Sequence, residues 1–272
     1  MGIMNYLNVG CGNKFHKDWT NVDMVSNSPH VVSHDLLKGI PFPEGHFDVV
    51  YHSQVLEHIP KEMAHFFIKE CFRVLSSGGI IRVVVPDLEN IIFEYQKCLK
   101  EVLESPNDQS EANYDWILLE MYDQTVRSSS GGQMAAFLKQ PYLANETYIL
   151  NRIGHVGRSI RDHYLREQDN GNLGRLRISN IKRLMKRSAR YLRDSVLPDS
   201  YKIGSFRTRG EIHMWMYDRY SLSRLLVTNG FMNIRRKDPF NSDIPNWYKY
   251  ELDHKDGLAF DPTSLFMEAN RP

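Results

Sequence analysis

Cysteine is scarce in this 272-residue chain, and the three present, Cys11, Cys71 and Cys98, have neither paired spacing nor a neighbouring histidine pattern. That speaks against a disulfide framework and against a zinc site, and it leaves reduced thiols in turns or on helix faces. No apolar run approaches the roughly 20 residues that a membrane helix requires. The first residues also lack the charged and apolar regions of a secretory signal, so a cytoplasmic protein is expected. Excess charge is missing as well. With 34 basic against 33 acidic side chains the net charge is +1, which predicts no bulk attraction to nucleic acid and leaves any electrostatic partner to a local patch. No internal repeat or low-complexity segment is visible, which excludes a repeat architecture. The 42% of hydrophobic residues suffices for a full core, in one large domain or in a domain with an elaborate insertion.

What is present is a strand pattern punctuated by glycine. Residues 7–23, LNVGCGNKFHKDWTNVD, read as a strand running into a glycine turn, then a short second strand ending in a carboxylate. Gly10 and Gly12 lack a Cβ, so the backbone can turn tightly there and lie against a ligand where a side chain would intrude. Asp23 follows as an acceptor for a ribose diol, which makes this a nucleoside site; a turn-capping aspartate is the plainer alternative. A dinucleotide fits less well. Its fingerprint wants a third glycine where Phe15 stands and an acidic residue about 20 positions on, and Asp23 comes too early.

Further strands are expected near 31–34, 47–52 and 80–85, all rich in β-branched residues. Between the last two, Met63, Phe66, Phe67, Cys71 and Val74 have the spacing of a helix, closed by Ser76-Ser77-Gly78-Gly79. From about 89 to 212 the chain turns to polar helical stretches. These are too long for one strand-to-strand crossover and read as a helical insertion. A helix at 220–228 ending at Asn229-Gly230, a strand at 232–237 and a last strand at 264–269 resume the sheet.

At LNVGCG, FDVVYHSQVLEH and RVLSSGGIIRVVVPD the chain resembles the class I S-adenosylmethionine-dependent methyltransferases. More narrowly, it resembles the bacterial methyltransferase type 11-like proteins found with surface-polysaccharide synthesis. The resemblance covers 6–88 and, more thinly, 221–269. It implies an α/β fold with a Rossmann-like, doubly wound, mostly parallel sheet. Residues 1–88 and 213–272 would form the cofactor-binding core, and 89–212 a lid or acceptor-binding subdomain. The implied cofactor is S-adenosylmethionine, with Gly10, Cys11 and Gly12 facing its methionyl and ribose parts and Asp23 holding the ribose. Asp35 would take the adenine amino group while the backbone of Leu36 reads the ring; locally, Asp35 equally fits an Asx turn. Ser53 and Gln54 would border the methionyl end. Lys14 departs from the family pattern, standing where a third glycine often sits.

Methyl transfer asks little of a protein. The sulfonium already activates the methyl group, so the main task is to hold the acceptor atom about 3 Å away and in line, and a base matters only if the acceptor must lose a proton. Three groups compete for that role. His213, Tyr217 and Asp218, within HMWMYD, offer an acceptor, a donor and an orienting carboxylate; in the plainer reading Trp215 and Met216 pack, Asp218 caps the next helix and His213 is a solvated loop residue. Glu57-His58 resembles part of a glutamate and histidine metal motif of some quinone methyltransferases. Gln54 stands where that motif wants another carboxylate, so no metal is expected, and His58 borders the cofactor or leads into the helix at Pro60. Asp87 is the third candidate, or a loop cap.

Within the insertion, Trp116, Leu119, Met121 and Tyr122 mark an amphipathic helix leading to Gln124, Arg127 and a joint at 128–132. Similar bacterial proteins carry a comparable helix and glycine pair, which implies Gln124 and Arg127, with Trp215, as substrate contacts. In the stretch 175–193, Arg175, Arg177, Lys182, Arg183, Lys186, Arg187, Arg190 and Arg193 surround an apolar row at helical spacing. That is either a solvated face packed on the domain or a contact for anionic lipid or phosphate at the inner membrane face. The acceptor implied by the resemblance is a sugar hydroxyl in glycan or polysaccharide synthesis. Rivals are another small molecule, RNA through the basic stretch, and a cofactor-binding protein without catalysis. Against RNA, no recognised RNA-binding module is visible, and Ser53-Gln54-Val55-Leu56 stands where base-nitrogen enzymes carry Asn-Pro-Pro-aromatic.

Overall fold

The structure is a computed structural model that describes residues 4–26, 28–169 and 197–272. The basic stretch 175–193 therefore lies outside the described residues. Strands β1 (Tyr6–Val9), β2 (Thr20–Asp23), β3 (Val31–Ser33), β4 (Phe47–Ser53) and β5 (Leu75–Pro86) precede the long helical segment, and β6 (Met232–Lys237), β7 (His254–Lys255), β8 (Leu258–Ala259) and β9 (Ser264–Asn270) follow it. Seven of them form one sheet in the order β3-β2-β1-β4-β5-β9-β6, while β7 and β8 make a separate hairpin. The first five pair in parallel, and β9 runs antiparallel to both neighbours. This is the mostly parallel, Rossmann-like sheet expected from the sequence.

Period-two alternation explains how the sheet is covered. Leu7, Val9, Val50, Ile81, Val83, Val85 and Met267 point to one face, under α1 (Ala64–Val74) and, near the other sheet edge, α7 (Arg219–Thr228). Val49, Tyr51, Val84 and Phe266 point to the other face. Loop residues supply most of the cover on that second face. The crossovers at 10–19 and 24–30 carry no helix among the described residues, so the second face is covered by Trp19 and by Ile244, Trp247, Tyr250 and Leu252 from the segment after β6. Arg82 of β5, fully buried, clamps that segment. It donates to Asp253 Oδ2 at 2.8 Å, to Glu268 Oε1 at 2.7 Å and to the Asp238 carbonyl at 2.7 Å, and its guanidinium lies over the Trp247 ring.

The glycines expected to close α1 lie inside β5 instead. Gly78 N–H donates to the Arg271 carbonyl at 2.9 Å and Arg271 N–H to the Gly79 carbonyl at 3.0 Å, so pairing with the chain's last residues extends the strand. Beyond β5 run α2 (Leu88–Glu104), α3 (Asp108–Val126), α4 (Gly132–Leu138), α5 (Glu146–Asp169) and α6 (Asp199–Arg207). Asp87 caps α2, and Asn107 with Ser110 forms a capping box on α3. α2 to α5 share apolar clusters of their own around Trp116, Leu138 and Ile149 and around Ile91, Cys98 and Ile117. α5 breaks at Gly154, where a Cβ would stand 2.5 Å from the Ala259 carbonyl and from Pro262 Cδ; the helices dock there on the loop before β9. All three cysteines are free and buried. No helix among the described residues is long and apolar enough to cross a membrane.

Candidate functional site

Open α/β sheets bind ligands outside the carboxyl ends of their strands, and here the loops after β1 and β4 meet at that edge. Gly10 takes φ +67° and donates to the Val22 carbonyl at 2.8 Å. A Cβ on Gly10 would stand 2.4 Å from Val55 Cγ2. On the side where its Cβ would stand, the space cleared by Gly10 is filled by Val55. Gly12, at φ +52°, is the open one, since nothing lies within 4 Å of the position its Cβ would take. Its N–H donates to Asp23 Oδ2 at 2.8 Å, and Val25 N–H donates to Oδ1 at 3.2 Å. Two backbone amides thus fix the Asp23 carboxylate at the end of β2, with acceptor capacity left on both oxygens.

Beside it, Met24, Val25 and Leu37 are exposed apolar side chains on neighbouring strand ends. Asp35 Oδ1 accepts from Leu37 N–H at 3.1 Å and caps the turn Leu36–Lys38, while the Leu36 side chain packs on the core. Cys11 is buried in the turn, and burial, with the Asp23 charge adding, pushes its thiol up to about 11. Lys14 reaches the loop before β9, with Nζ 3.7 Å from Asp261 and over the Phe260 ring.

A second space opens where the helical segment covers the ends of β4 and β5. It is a small cavity of about 80 Å³ bounded by Gln54, Asp87, Gln124, Arg152, His213 and Asp261. Gln54, next to Ser53 at the end of β4, holds a left-handed backbone at φ +56° and donates from Nε2 to Ser264 Oγ at 3.0 Å; such strain in a non-glycine residue persists only where its surroundings enforce it. The charges around this space are compensated. Arg152 chelates Glu120, with Nη2 to Oε2 at 2.6 Å, and Asp87 pairs with Arg236 at 3.0 Å; burial raises the Asp87 carboxyl above the usual range.

The HMWMYD segment joins the cavity wall to the loop after β4. His213 N–H donates to the Gln124 carbonyl at 3.0 Å, and the N–H groups of Met214 and Trp215 donate to the carbonyl of Glu57, at 2.6 and 3.2 Å. The His213 ring, in a residue 6% exposed, meets His58 edge-on at 4.8 Å. Burial pushes His213 down to about 3, with the His58 and Arg127 charges adding, so it is neutral at pH 7. Glu57 is 0% exposed, and burial pushes its carboxyl up to about 8.

The structure separates other residues that the sequence grouped. Asp218 does not orient His213, because its carboxylate accepts from Tyr220 N–H at 2.9 Å and Ser221 N–H at 2.8 Å in a capping box on α7. Tyr217 is buried with its hydroxyl unbonded, and desolvation, with Glu57 nearby, pushes it up to about 12. Trp215 lies under Lys61 Nζ, 3.5 Å from the ring centre, in a groove away from the cavity. Arg127 turns to the Glu211 carbonyl at 2.8 Å, leaving Gln124 as the expected substrate contact that lines the cavity. Sequence reasoning missed Glu120, Arg152 and Asp261, which carry no local signal because their partners come from distant segments.

Residues 7–83 match the sequence profile of a family described as "Methyltransferase domain". This segment is similar to a methyltransferase domain over 77 of the 272 residues. It runs from β1 to the middle of β5 and contains Gly12, Asp23, Asp35 and Glu57. Over 56 residues the chain is 39% identical to a protein of Mycolicibacterium smegmatis named as a probable S-adenosylmethionine-dependent methyltransferase, and that stretch is 21% of either chain. The chain thus spans about a fifth of that relative's length. Among solved structures it is similar to an S-adenosylmethionine-dependent methyltransferase of Thermotoga maritima, with 10% identity, a TM-score of 0.40, and coverage of 100% of this chain and 84% of the other. It is also similar to a didemethyltoxoflavin N1-methyltransferase of Burkholderia thailandensis with bound S-adenosylhomocysteine, with 17% identity, a TM-score of 0.27, and coverage of 31% and 45%. At these scores the likenesses add nothing to the topology described above.

Proposed function

We propose that the protein is an S-adenosylmethionine-dependent methyltransferase whose acceptor is a sugar hydroxyl of a glycan or polysaccharide precursor, with that hydroxyl, and not the whole sugar, reaching into the small cavity beneath the helical segment. The observation that carries this reading is the open face of Gly12 beside the amide-fixed Asp23, inside the segment that matches the methyltransferase domain. The residues fit the cofactor. Asp23 has lone pairs free for a ribose diol, and charge-assisted bonds of this kind are about twice as strong as neutral ones. Met24, Val25 and Leu37 offer apolar cover for a flat heterocycle, with Asp35 at its rim. When bound, the cofactor supplies a methyl group already activated by its positive sulfur.

The chain's own residues then have three tasks. Gln54 and Gln124 offer amides to the acceptor's hydroxyls, and the polar lining of the cavity suits a polyhydroxyl group better than an apolar ring. The helices over the cavity exclude water. His213, neutral and at the cavity wall, accepts the hydroxyl proton at a ring nitrogen. The test is release of S-adenosylhomocysteine with a panel of nucleotide-linked sugars and oligosaccharides, set against RNA and aromatic small molecules. Turnover with a glycan hydroxyl is expected, and turnover only with RNA or an aromatic acceptor overturns the assignment.

A further inference from the structure

The buried end of Glu57 has no role in that account. Its carboxylate is wholly buried, yet neither oxygen has a hydrogen-bond partner among the described residues. A buried carboxylate without partners is costly, and native proteins satisfy nearly all such groups with protein, water or an ion. The side chains around it show which. We infer that Glu57, His58 and His213 bind one divalent transition-metal ion, with zinc the best match, at the wall of the acceptor cavity.

Three features support this beyond the orphaned carboxylate. One donor atom from each residue lies within 4.8 Å of the other two. Metal–ligand distances of about 2.0 to 2.2 Å would require each side chain to close in by roughly 1 Å, which ordinary χ rotation supplies. His58 is already oriented, because its Nδ1 meets the Ile212 carbonyl at 3.0 Å. That bond fixes the Nδ1–H tautomer and leaves Nε2, 4.0 Å from Glu57 Oε1, as a free lone pair. A ligating histidine is held in this way by its outer contacts. Finally, the main chain locks the two distant segments together, since the Glu57 carbonyl accepts from the amides of Met214 and Trp215, directly after His213.

Two imidazoles and one carboxylate suit zinc better than magnesium or calcium, which prefer all-oxygen shells. Three protein ligands leave an open position, and His213 lines the cavity. Arg127 lies near both histidines, but its charge is offset by Glu211 Oε1 at 3.6 Å. The sequence expectation of no metal rested on Gln54 standing where a second carboxylate was wanted; the third donor here is instead His213, from a segment that local spacing could not connect to Glu57. On the methyl-transfer reading, such an ion would acidify the acceptor hydroxyl when bound, and His213 would serve as its ligand in the loaded protein and as the proton acceptor in the metal-free one. The site itself does not depend on that reading.

The test uses the full chain, stripped with a chelator and titrated with Zn²⁺ alone by calorimetry, without cofactor or acceptor. One Zn²⁺ per chain is expected, with affinity reduced by at least about 100-fold in Glu57→Gln and in His213→Ala, the upper end of what loss of an outer-shell partner costs. Glu57→Gln replaces an unbonded buried carboxylate by a neutral amide of the same shape, so it should fold at least as well as the wild type, and Zn²⁺ should raise the melting temperature of the wild type but not of this variant. Equal Zn²⁺ binding by the wild type and Glu57→Gln overturns the site. Mg²⁺ binding as tight as Zn²⁺ overturns the choice of a transition ion. Failure of the cofactor assignment would appear separately, in S-adenosylhomocysteine binding, which this titration does not involve.

Discussion

Gly10 and Val55 close the carboxyl edge of the sheet between them, since a Cβ on Gly10 would stand 2.4 Å from Val55 Cγ2. The glycine at this position serves packing between the loops after β1 and β4. Gly10→Ala should lower stability by roughly 1 to 3 kcal/mol through overpacking and left-handed strain. Adding Val55→Ala should restore the packing part and leave the strain. Denaturant unfolding of the single and double variants measures this, and a double variant no more stable than the sum of its parts would remove Val55 as the obstacle.

Arg82 and Asp253 make the second test of packing. Asp253 also accepts from the Tyr51 hydroxyl at 2.6 Å, so it holds β4, β5 and the covering segment at once. Asp253→Ala leaves a fully buried guanidinium short of a partner and should cost about 3 to 5 kcal/mol in urea unfolding. A loss below about 1 kcal/mol would mean that the segment after β6 is held by Trp19, Trp247 and Tyr250 alone.

Acid should find a weak point at His52. Its ring is fully buried against Phe67 with both nitrogens unbonded, and burial pushes it down to about 3 from an ordinary 6.5. Between those values the unfolded chain binds a proton that the folded chain does not. This group's contribution to stability is therefore intact above pH 6.5 and falls as the pH drops toward 3. His52→Leu removes that dependence. From pH 7 to 4.5 the wild type should lose roughly 2 to 3 kcal/mol more than the variant, and parallel acid profiles would contradict the assignment.

The sheet and the glycine turn were legible because their signals are local: short apolar runs such as Val49-Val50-Tyr51 and Val83-Val84-Val85, and a glycine pair followed by a carboxylate. The two helix caps were equally local, and at Asp218 the capping box with Ser221 prevailed over a catalytic reading of the same side chain. What covers the second face was not legible, since Arg82 meets Asp253 and Glu268 only after the whole helical segment has intervened. The cavity wall was hidden for the same reason. Glu120 and Arg152 each read as helix-surface charges until α3 and α5 are packed side by side.

At the cavity, His213→Ala should lower turnover by roughly 100-fold, the ordinary worth of general acid–base help, while S-adenosylhomocysteine affinity stays near that of the wild type. Gln124→Ala should act mainly on KM for the acceptor. Steady-state kinetics with the acceptor identified by the panel separates the two. Unchanged turnover in His213→Ala would mean that alignment alone suffices.

The most direct measurement is calorimetric titration of S-adenosylhomocysteine into the wild type and into Gly12→Asn. Asparagine tolerates the left-handed backbone that Gly12 adopts, and its side chain would project into the open space beside Asp23. The account predicts stoichiometric binding by the wild type and, in a variant of nearly unchanged melting temperature, loss of most of that affinity. A wild type that binds no S-adenosylhomocysteine, or a folded Gly12→Asn that binds it equally well, would contradict the cofactor site at this edge of the sheet.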